Sequence, residues 1–243
     1  MIHDKVEAHR IGRRGHSGLN CRRIEVHATE RGSFEREQVV CFLPWLLGYE
    51  RCREAGLLHP DVTIAYEMPY AIVSPCPTVS IQALQVVVED FLHLFEQRRL
   101  DPARLTLMGL SIGNFAAIYL ANMLGARVWA IAPGDRGEVL IWTSSLAVGV
   151  RRLAKARGYT YSDFKSALNE LNPINNLRNI GSGSTFVAGR FDTIVPYRSA
   201  INIAAEAQRY NPQIRSIVVP LGHSGTLFAG VQSYRYMGRF AKC

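Results

Sequence analysis

The sequence predicts an α/β fold, a doubly wound and mostly parallel sheet. Short apolar runs recur along the chain, and segments with apolar residues at helical spacing separate them. Strands that alternate with helices in this way are typical of a parallel sheet. The run VVCFL at 39–43 is apolar throughout, as expected of a strand buried on both faces. The length of 243 residues suits one domain, so we expect residues 1–243 to form a single unit.

The first two predicted strands differ from this pattern and are expected to form a short antiparallel N-terminal hairpin. Lys5–Ile11 and Asn20–Thr29 alternate in polarity on either side of the glycine-containing segment Gly12–Gly18. The next expected elements are strand Val39–Leu43, a short helix near Gly48–Glu54, strand Asp61–Glu67 and helix Ser80–Arg99. Between the last two, the segment MPYAIVSPCPT at 68–78 carries three prolines and is expected to be an extended, stiff loop.

The segment RLTLMGLSIG at 104–113 carries the strongest chemical signal. It reads as an apolar strand that runs into Gly-x-Ser-x-Gly, and the helical sequence NFAAIYLANMLG follows. A sharp turn between strand and helix is the context in which this pattern presents a nucleophile. Gly109 and Gly113 let the two elements come close, and the helix dipole favours negative charge beside Ser111. Ser111 is therefore the candidate nucleophile.

A serine needs a base and a group that orients the base. Two later strands, Ser184–Ala188 and Ile214–Pro220, run into GRFDTIVP and LGHSG. Asp192 and His223 thus lie just past the carboxyl ends of their strands, where open parallel sheets bind ligands. Asp135 also follows a predicted strand, Arg127–Ala132, and is an alternative acid.

Together, GLSIG, GRFDTIVP and PLGHS resemble the α/β-hydrolase fold superfamily, in particular its serine hydrolases and esterases. The resemblance implies a catalytic triad, with Ser111 as nucleophile, His223 as base and then acid, and Asp192 holding the imidazole tautomer. GRFDTIVP matches the usual acid turn of the superfamily and favours Asp192 over Asp135. The chemistry implied needs no metal and no organic cofactor.

An oxyanion hole requires two backbone N–H groups. The resemblance assigns one to Ile112, the residue after the nucleophile, and the other to the loop after strand Val39–Leu43. There the usual His-Gly is replaced by Pro44-Trp45. Because proline has no N–H, Trp45 or Leu46 must supply the second donor, and Trp45 is slightly favoured.

Residues 134–183 are more numerous than one connecting helix needs. Two stretches, Glu138–Arg157 and Tyr161–Leu171, are expected to be helical, and in the superfamily an insertion at this point forms a cap. The apolar residues Leu140, Ile141, Trp142 and Leu146 either line the substrate pocket or belong to ordinary core. The expected pocket residues are Trp142, Ile141 and Tyr70.

Composition narrows the class of partner. The net charge is +8, but the basic residues are scattered and no nucleic-acid-binding motif is present, so no nucleic-acid partner is expected. Five cysteines form no C-x-x-C pair, and the N-terminal run MIHDKVEAHRIGRR lacks the apolar part of a secretory signal. We therefore expect a cytoplasmic protein with no membrane span and a small-molecule substrate. The sequence leaves open whether it forms a homo-oligomer.

The sequence thus favours a serine hydrolase that cleaves an ester through an acyl-enzyme, with a carboxylesterase as the first hypothesis. A thioesterase, a lactonase or an acyltransferase would use the same residues. A different class, a non-catalytic binding protein with a hydrolase fold, stays open because of the altered Pro44-Trp45 loop.

Overall fold

The computed structural model of the chain describes residues 5–11, 19–27 and 37–240. Eight strands in this part of the chain form one sheet. They are β1 (Lys5–Ile11), β2 (Cys21–His27), β3 (Gln38–Leu43), β4 (Val62–Glu67), β5 (Leu105–Leu110), β6 (Arg127–Ile131), β7 (Thr185–Gly189) and β8 (Arg215–Val219).

The sheet order is β1-β2-β4-β3-β5-β6-β7-β8. The pairs β1–β2 and β2–β4 are antiparallel, and every pair from β4 to β8 is parallel. The predicted fold class is therefore confirmed, including the N-terminal hairpin, although the segment between its strands, 12–18, lies outside the described residues. Because the strands β3 to β8 are parallel, their carboxyl ends meet at one edge of the sheet.

Eight helices lie between or after the strands in the described residues. They are α1 (Gly48–Glu54), α2 (Pro77–Arg98), α3 (Asn114–Leu124), α4 (Gly137–Thr143), α5 (Val148–Ala156), α6 (Tyr161–Leu168), α7 (Tyr197–Tyr210) and α8 (His223–Phe240).

Two apolar cores lie on opposite faces of the sheet, and β3 shows how the sequence builds both. Successive side chains of a strand point to opposite faces. Val40 and Phe42 accordingly pack in the core made with α2, α3 and α7, whereas Val39, Cys41 and Leu43 pack in the core made with α1 and α8. The continuous apolar run of β3 is therefore explained by burial on both faces.

The proline-rich segment at 68–78 is not extended throughout, and this corrects the sequence prediction. Tyr70–Val73 forms a 3-10 turn, and α2 begins at Pro77, three residues earlier than expected. Ala71 and Ile72 are buried, and their burial stabilises the turn. Proline is well suited to the first helical position, because its missing N–H would have no partner there.

The stretch Glu138–Arg157, expected to be helical, is two helices, α4 and α5. The break lies at Ser144, whose side-chain oxygen accepts a hydrogen bond of 3.3 Å from the Leu146 backbone N–H and starts a 3-10 turn. Helices α4, α5 and α6 share a small core of their own, made by Ile141, Ala154, Phe164 and Leu168. Helix α6 also packs on α2, which holds the three helices against the main body.

Polar groups tie the N-terminal strands to α2. Arg23 on β2 donates from Nη1 to both oxygens of Asp90, at 3.0 and 2.8 Å, and the Tyr66 hydroxyl donates to Asp90 at 2.7 Å. Glu25 makes ion pairs with Arg23, at 3.1 Å, and with Arg98. Burial and the neighbouring Asp90 charge raise the pKa of Tyr66, which keeps its hydroxyl protonated as a donor.

No helix among residues 5–11, 19–27 and 37–240 is long and apolar enough to cross a membrane.

Candidate active site

Ser111 lies at the tip of a tight turn between β5 and α3. Its φ of +53° is in the left-handed region, which is strained for a residue with a side chain. Both flanking positions require glycine, because other parts of the chain come too close for a Cβ atom there. A Cβ on Gly109 would lie 2.5 Å from Asn114 Oδ1, and one on Gly113 would overlap the Phe42 carbonyl oxygen. The turn therefore projects the Ser111 side chain from the carboxyl end of β5.

His223 is the first residue of α8 and follows β8 after a short loop. Its Nε2 lies 2.9 Å from Ser111 Oγ, and its Nδ1 lies 2.7 Å from Asp192 Oδ2. These distances suit an imidazole that carries its proton on Nδ1 and accepts the serine proton on Nε2. The His223 side chain is only 11% exposed, so little water competes for these bonds.

Asp192 is held from two sides in the turn after β7. Its Oδ1 accepts hydrogen bonds from the backbone N–H groups of Ile194 and Val195, both at 2.9 Å. Its Oδ2 is left for His223, and its side chain is 2% exposed. The carboxylate therefore has a fixed orientation toward the imidazole.

Asp135, the alternative acid, has other partners. Its Oδ1 accepts from the Ser199 hydroxyl, and its Oδ2 accepts from Arg136 Nη1 at 2.9 Å. The structure thus brings Asp192 to His223 and directs Asp135 toward α7 and the start of α4.

The loop after β3 offers backbone N–H groups near Ser111. The Pro44 carbonyl accepts from the N–H groups of Leu47 and Gly48, at 3.2 and 3.3 Å. By contrast, the N–H groups of Trp45 and Leu46 make no hydrogen bond within the described part of the chain. Both residues line the same cavity as Ser111 and Ile112, so either N–H is available for a developing negative charge there.

A cavity of about 120 Å³ opens at Ser111. An apolar cavity of roughly 150 Å³ is known to hold benzene, so this one suits a small apolar group. No charged side chain of the described residues lines it. Its walls come from the loop after β3, the 3-10 turn Tyr70–Val73, helices α2, α3, α4 and α6, the turn after α6 and the loop after β7. They include Ile72, Leu84, Phe115, Leu140, Ile141, Leu168, Leu171 and Val195.

The three predicted pocket residues occupy different places. Ile141 lies in the cavity wall. Tyr70 and Trp142 are not among the lining residues: Tyr70 is 63% exposed and packs edge-on against Trp45 with ring centroids 4.6 Å apart. Trp142 packs on Tyr161 and Phe164, between α4 and α6.

Sequence reasoning missed Asn114, the first residue of α3. Its side chain is completely buried, and its Nδ2 donates to the carbonyl oxygens of Ser111 and Ile131, both at 2.8 Å. An amide at the start of the apolar helix sequence NFAAIYLANML was the available signal, because a buried polar group needs hydrogen-bond partners.

No family model and no curated protein sequence matches the chain, but solved structures match almost its whole length. An acylaminoacyl peptidase of Pyrococcus horikoshii has a TM-score of 0.63 at 12% identity, and the match covers 98% of this chain and 41% of that chain. An esterase of Pyrococcus furiosus has a TM-score of 0.60 at 18% identity, covering 98% of this chain and 92% of that one. An esterase of Pyrobaculum calidifontis has a TM-score of 0.57 at 15% identity, covering 98% and 84%.

These matches define the class by fold. The chain has the α/β-hydrolase fold, as its three motifs predict, and shares it with esterases and with an acylaminoacyl peptidase. This chain spans about two fifths of the length of that peptidase, whereas it spans nearly the whole of the Pyrococcus furiosus esterase.

Proposed function

We propose that the protein is a serine hydrolase that cleaves esters of small apolar acyl groups, and thus a carboxylesterase. One observation carries the proposal: an unbroken series of hydrogen bonds, from Ser111 to His223 at 2.9 Å and from His223 to Asp192 at 2.7 Å, ends at an apolar cavity. A chance cluster of a serine, a histidine and an aspartate would not also place the serine at the tip of a tight turn between a strand and a helix.

In the first half of the reaction, Ser111 Oγ attacks the ester carbonyl while its proton passes to His223 Nε2. Asp192 stabilises the imidazolium that forms and keeps its Nδ1–H in place. The carbonyl oxygen becomes negative and accepts hydrogen bonds from the Ile112 N–H and from the N–H of Trp45 or Leu46. His223 then gives its proton to the leaving alcohol, and the acyl group stays on Ser111.

In the second half, water replaces the alcohol. His223 takes a proton from the water, the hydroxide attacks the acyl carbonyl, and the same N–H groups receive the negative charge. The bond to Ser111 Oγ breaks, and His223 returns the proton to the serine. The sum is one ester and one water converted to one acid and one alcohol, without any cofactor.

The cavity supports an apolar acyl group over a charged one. A charged group would lose its hydration without a partner among the lining residues, and that loss is costly. Thioesters and lactones of the same size fit the same walls. A panel of p-nitrophenyl esters from acetate to decanoate, with matching thioesters and lactones, would rank these classes by kcat/KM.

A fluorophosphonate probe tests the proposal directly. We expect a covalent adduct on the wild-type protein and none on Ser111→Ala. Ser145→Ala is the matched control, because Ser145 is exposed in the turn between α4 and α5 and should leave labelling unchanged. A wild-type protein that forms no Ser111-dependent adduct would falsify the enzymatic proposal and favour a binding protein with a hydrolase fold.

A further inference from the structure

Asn114 makes two hydrogen bonds that lie outside the triad. Its Nδ2 donates to the carbonyl oxygens of Ser111 and Ile131, at 2.8 Å each, and the residue is 0% exposed. Because both partners are acceptors, the atom that faces them must be the amide nitrogen, and the orientation of the side chain is fixed. Its Oδ1 points at Gly109, where a Cβ would lie 2.5 Å away, and has no hydrogen-bond partner among the described residues.

The Ser111 carbonyl is directly linked to a candidate oxyanion donor. The carbonyl of Ser111 and the N–H of Ile112 belong to one planar trans peptide group, so they point in opposite directions. Any rotation of this peptide that moves the carbonyl turns the N–H by the same angle. A side chain that holds the carbonyl therefore also aims the Ile112 N–H.

Backbone hydrogen bonding within the turn already holds the Ser111 carbonyl. The turn is a 3-10 turn of three residues, in which the Asn114 backbone N–H donates to this oxygen. Ser111 is strained at a φ of +53°, and a strained turn persists only when its surroundings fix it. The hydrogen bond from the Asn114 side chain to the Ile131 carbonyl supplies this support. Ile131 is the last residue of β6, the strand beside β5.

We propose that Asn114 is a positioning residue that fixes the Ser111–Ile112 peptide to the central sheet and thereby aims the Ile112 N–H at the oxyanion. The proposal rests on the proposed function, since it assumes that Ser111 forms a tetrahedral intermediate. A donor that is better aimed at the intermediate than at the substrate lowers the barrier and leaves substrate binding unchanged. Loss of Asn114 should therefore lower kcat and spare KM.

The test compares Asn114→Ala with Asn122→Ala in the full chain. Asn122 lies on the same helix, and its Oδ1 accepts from the Asn179 N–H at 2.9 Å, away from the turn. For Asn114→Ala we expect kcat on a p-nitrophenyl ester to fall about 10- to 100-fold, by comparison with the 10²- to 10³-fold loss for a missing oxyanion donor. We expect KM within about twofold of wild type, and both constants unchanged in Asn122→Ala.

An alkylboronic acid separates positioning from a merely structural role, because its adduct with a serine is tetrahedral like the intermediate. Its inhibition constant should weaken in Asn114→Ala by about the same factor as kcat, with rates normalised to the fraction of protein that a fluorophosphonate titrates. A structural role would reduce the titrated fraction and leave normalised kcat and boronate affinity unchanged.

Asn114→Ser keeps the proposal testable if the alanine variant does not fold. A serine hydroxyl on a helix can reach the carbonyl three residues back, so this variant retains the Ser111 bond and loses the Ile131 bond. Its kcat should lie between those of wild type and Asn114→Ala. A folded variant of either kind with wild-type kcat and boronate affinity overturns the positioning role alone, whereas a wild-type protein without a Ser111-dependent adduct overturns it together with the proposed function.

Discussion

Asp192 illustrates how a single side chain can be oriented by its own turn. Two backbone N–H groups occupy Oδ1, and His223 takes Oδ2. Asp135 is equally buried, but it faces Arg136 and the Ser199 hydroxyl. The two aspartates therefore offer a matched pair, in which only one contacts the imidazole.

We expect Asp192→Asn to lower kcat by roughly 10³- to 10⁴-fold, because an amide nitrogen facing His223 Nδ1 stabilises the wrong tautomer. Asp135→Asn should keep kcat within about threefold of wild type and lower stability, since it removes the charge of a buried carboxylate that bonds to Arg136 and Ser199. Steady-state kinetics on one ester and thermal unfolding of both variants check this. A large loss of kcat in Asp135→Asn with an active Asp192→Asn would reverse the assignment.

The sequence could predict the placement of Ser111, Asp192 and His223 because each follows a strand, and parallel strands end at one edge. It could not predict the role of Asn114. That role depends on the left-handed turn that brings the Ser111 carbonyl back to Asn114, and on Ile131, which is 17 residues away on the neighbouring strand. A local sequence pattern shows where each strand ends, but it does not show which carbonyl on a neighbouring strand a side chain reaches.

At the level of elements, α4 and α6 form one wall of the cavity, and they belong to the insertion that the sequence predicted over 134–183. We propose that this insertion acts as the cap expected from the superfamily. The sequence missed the break between α4 and α5, since it depends on one side-chain hydrogen bond at Ser144 within a continuous helical pattern. Apolar spacing predicts which residues face a core and does not predict where a helix is interrupted.

If α4 limits the length of the acyl group, Leu140→Ala should shift the preference toward longer esters. Leu140 lines the cavity and is half-buried, so its truncation enlarges the cavity at modest cost in stability. Each added methylene that becomes buried should raise kcat/KM about fourfold, from roughly 0.8 kcal/mol per methylene. The p-nitrophenyl series measures this for both proteins.

Leu153→Ala is the control for that shift, because Leu153 is 54% exposed on α5 and does not line the cavity. Its chain-length profile should match that of the wild-type protein. An identical profile for Leu140→Ala would mean that the acyl group binds elsewhere.

At the scale of the whole molecule, the proposed triad lies at one edge of a sheet whose first two strands extend it beyond β4. Strand β2 is antiparallel to its neighbours and bonds to β4, and β4 pairs with β3, whose following loop offers the Trp45 and Leu46 N–H groups. The polar contacts around Asp90 join this edge of the sheet to α2. They were not predictable from sequence pattern, because Arg23 and Asp90 lie 67 residues apart.

Asp90→Asn should lower the free energy of unfolding by about 3 kcal/mol, because breaking a buried ion pair leaves the other charge without its partner. Arg23 and Asp90 have side chains only 15% and 14% exposed, so water can compensate the loss only in part.

Glu206→Gln is the matched control. It breaks an ion pair with Arg209, which is 77% exposed, and should leave the free energy of unfolding close to that of wild type. Urea unfolding of the three proteins measures both differences. Under the proposed function, the rate of ester hydrolysis by folded Asp90→Asn should equal that of wild type, since neither Arg23 nor Asp90 bonds to Ser111, His223 or Asp192. An Asp90→Asn protein as stable as wild type would mean that the Tyr66 and Glu25 contacts alone hold the strands on α2.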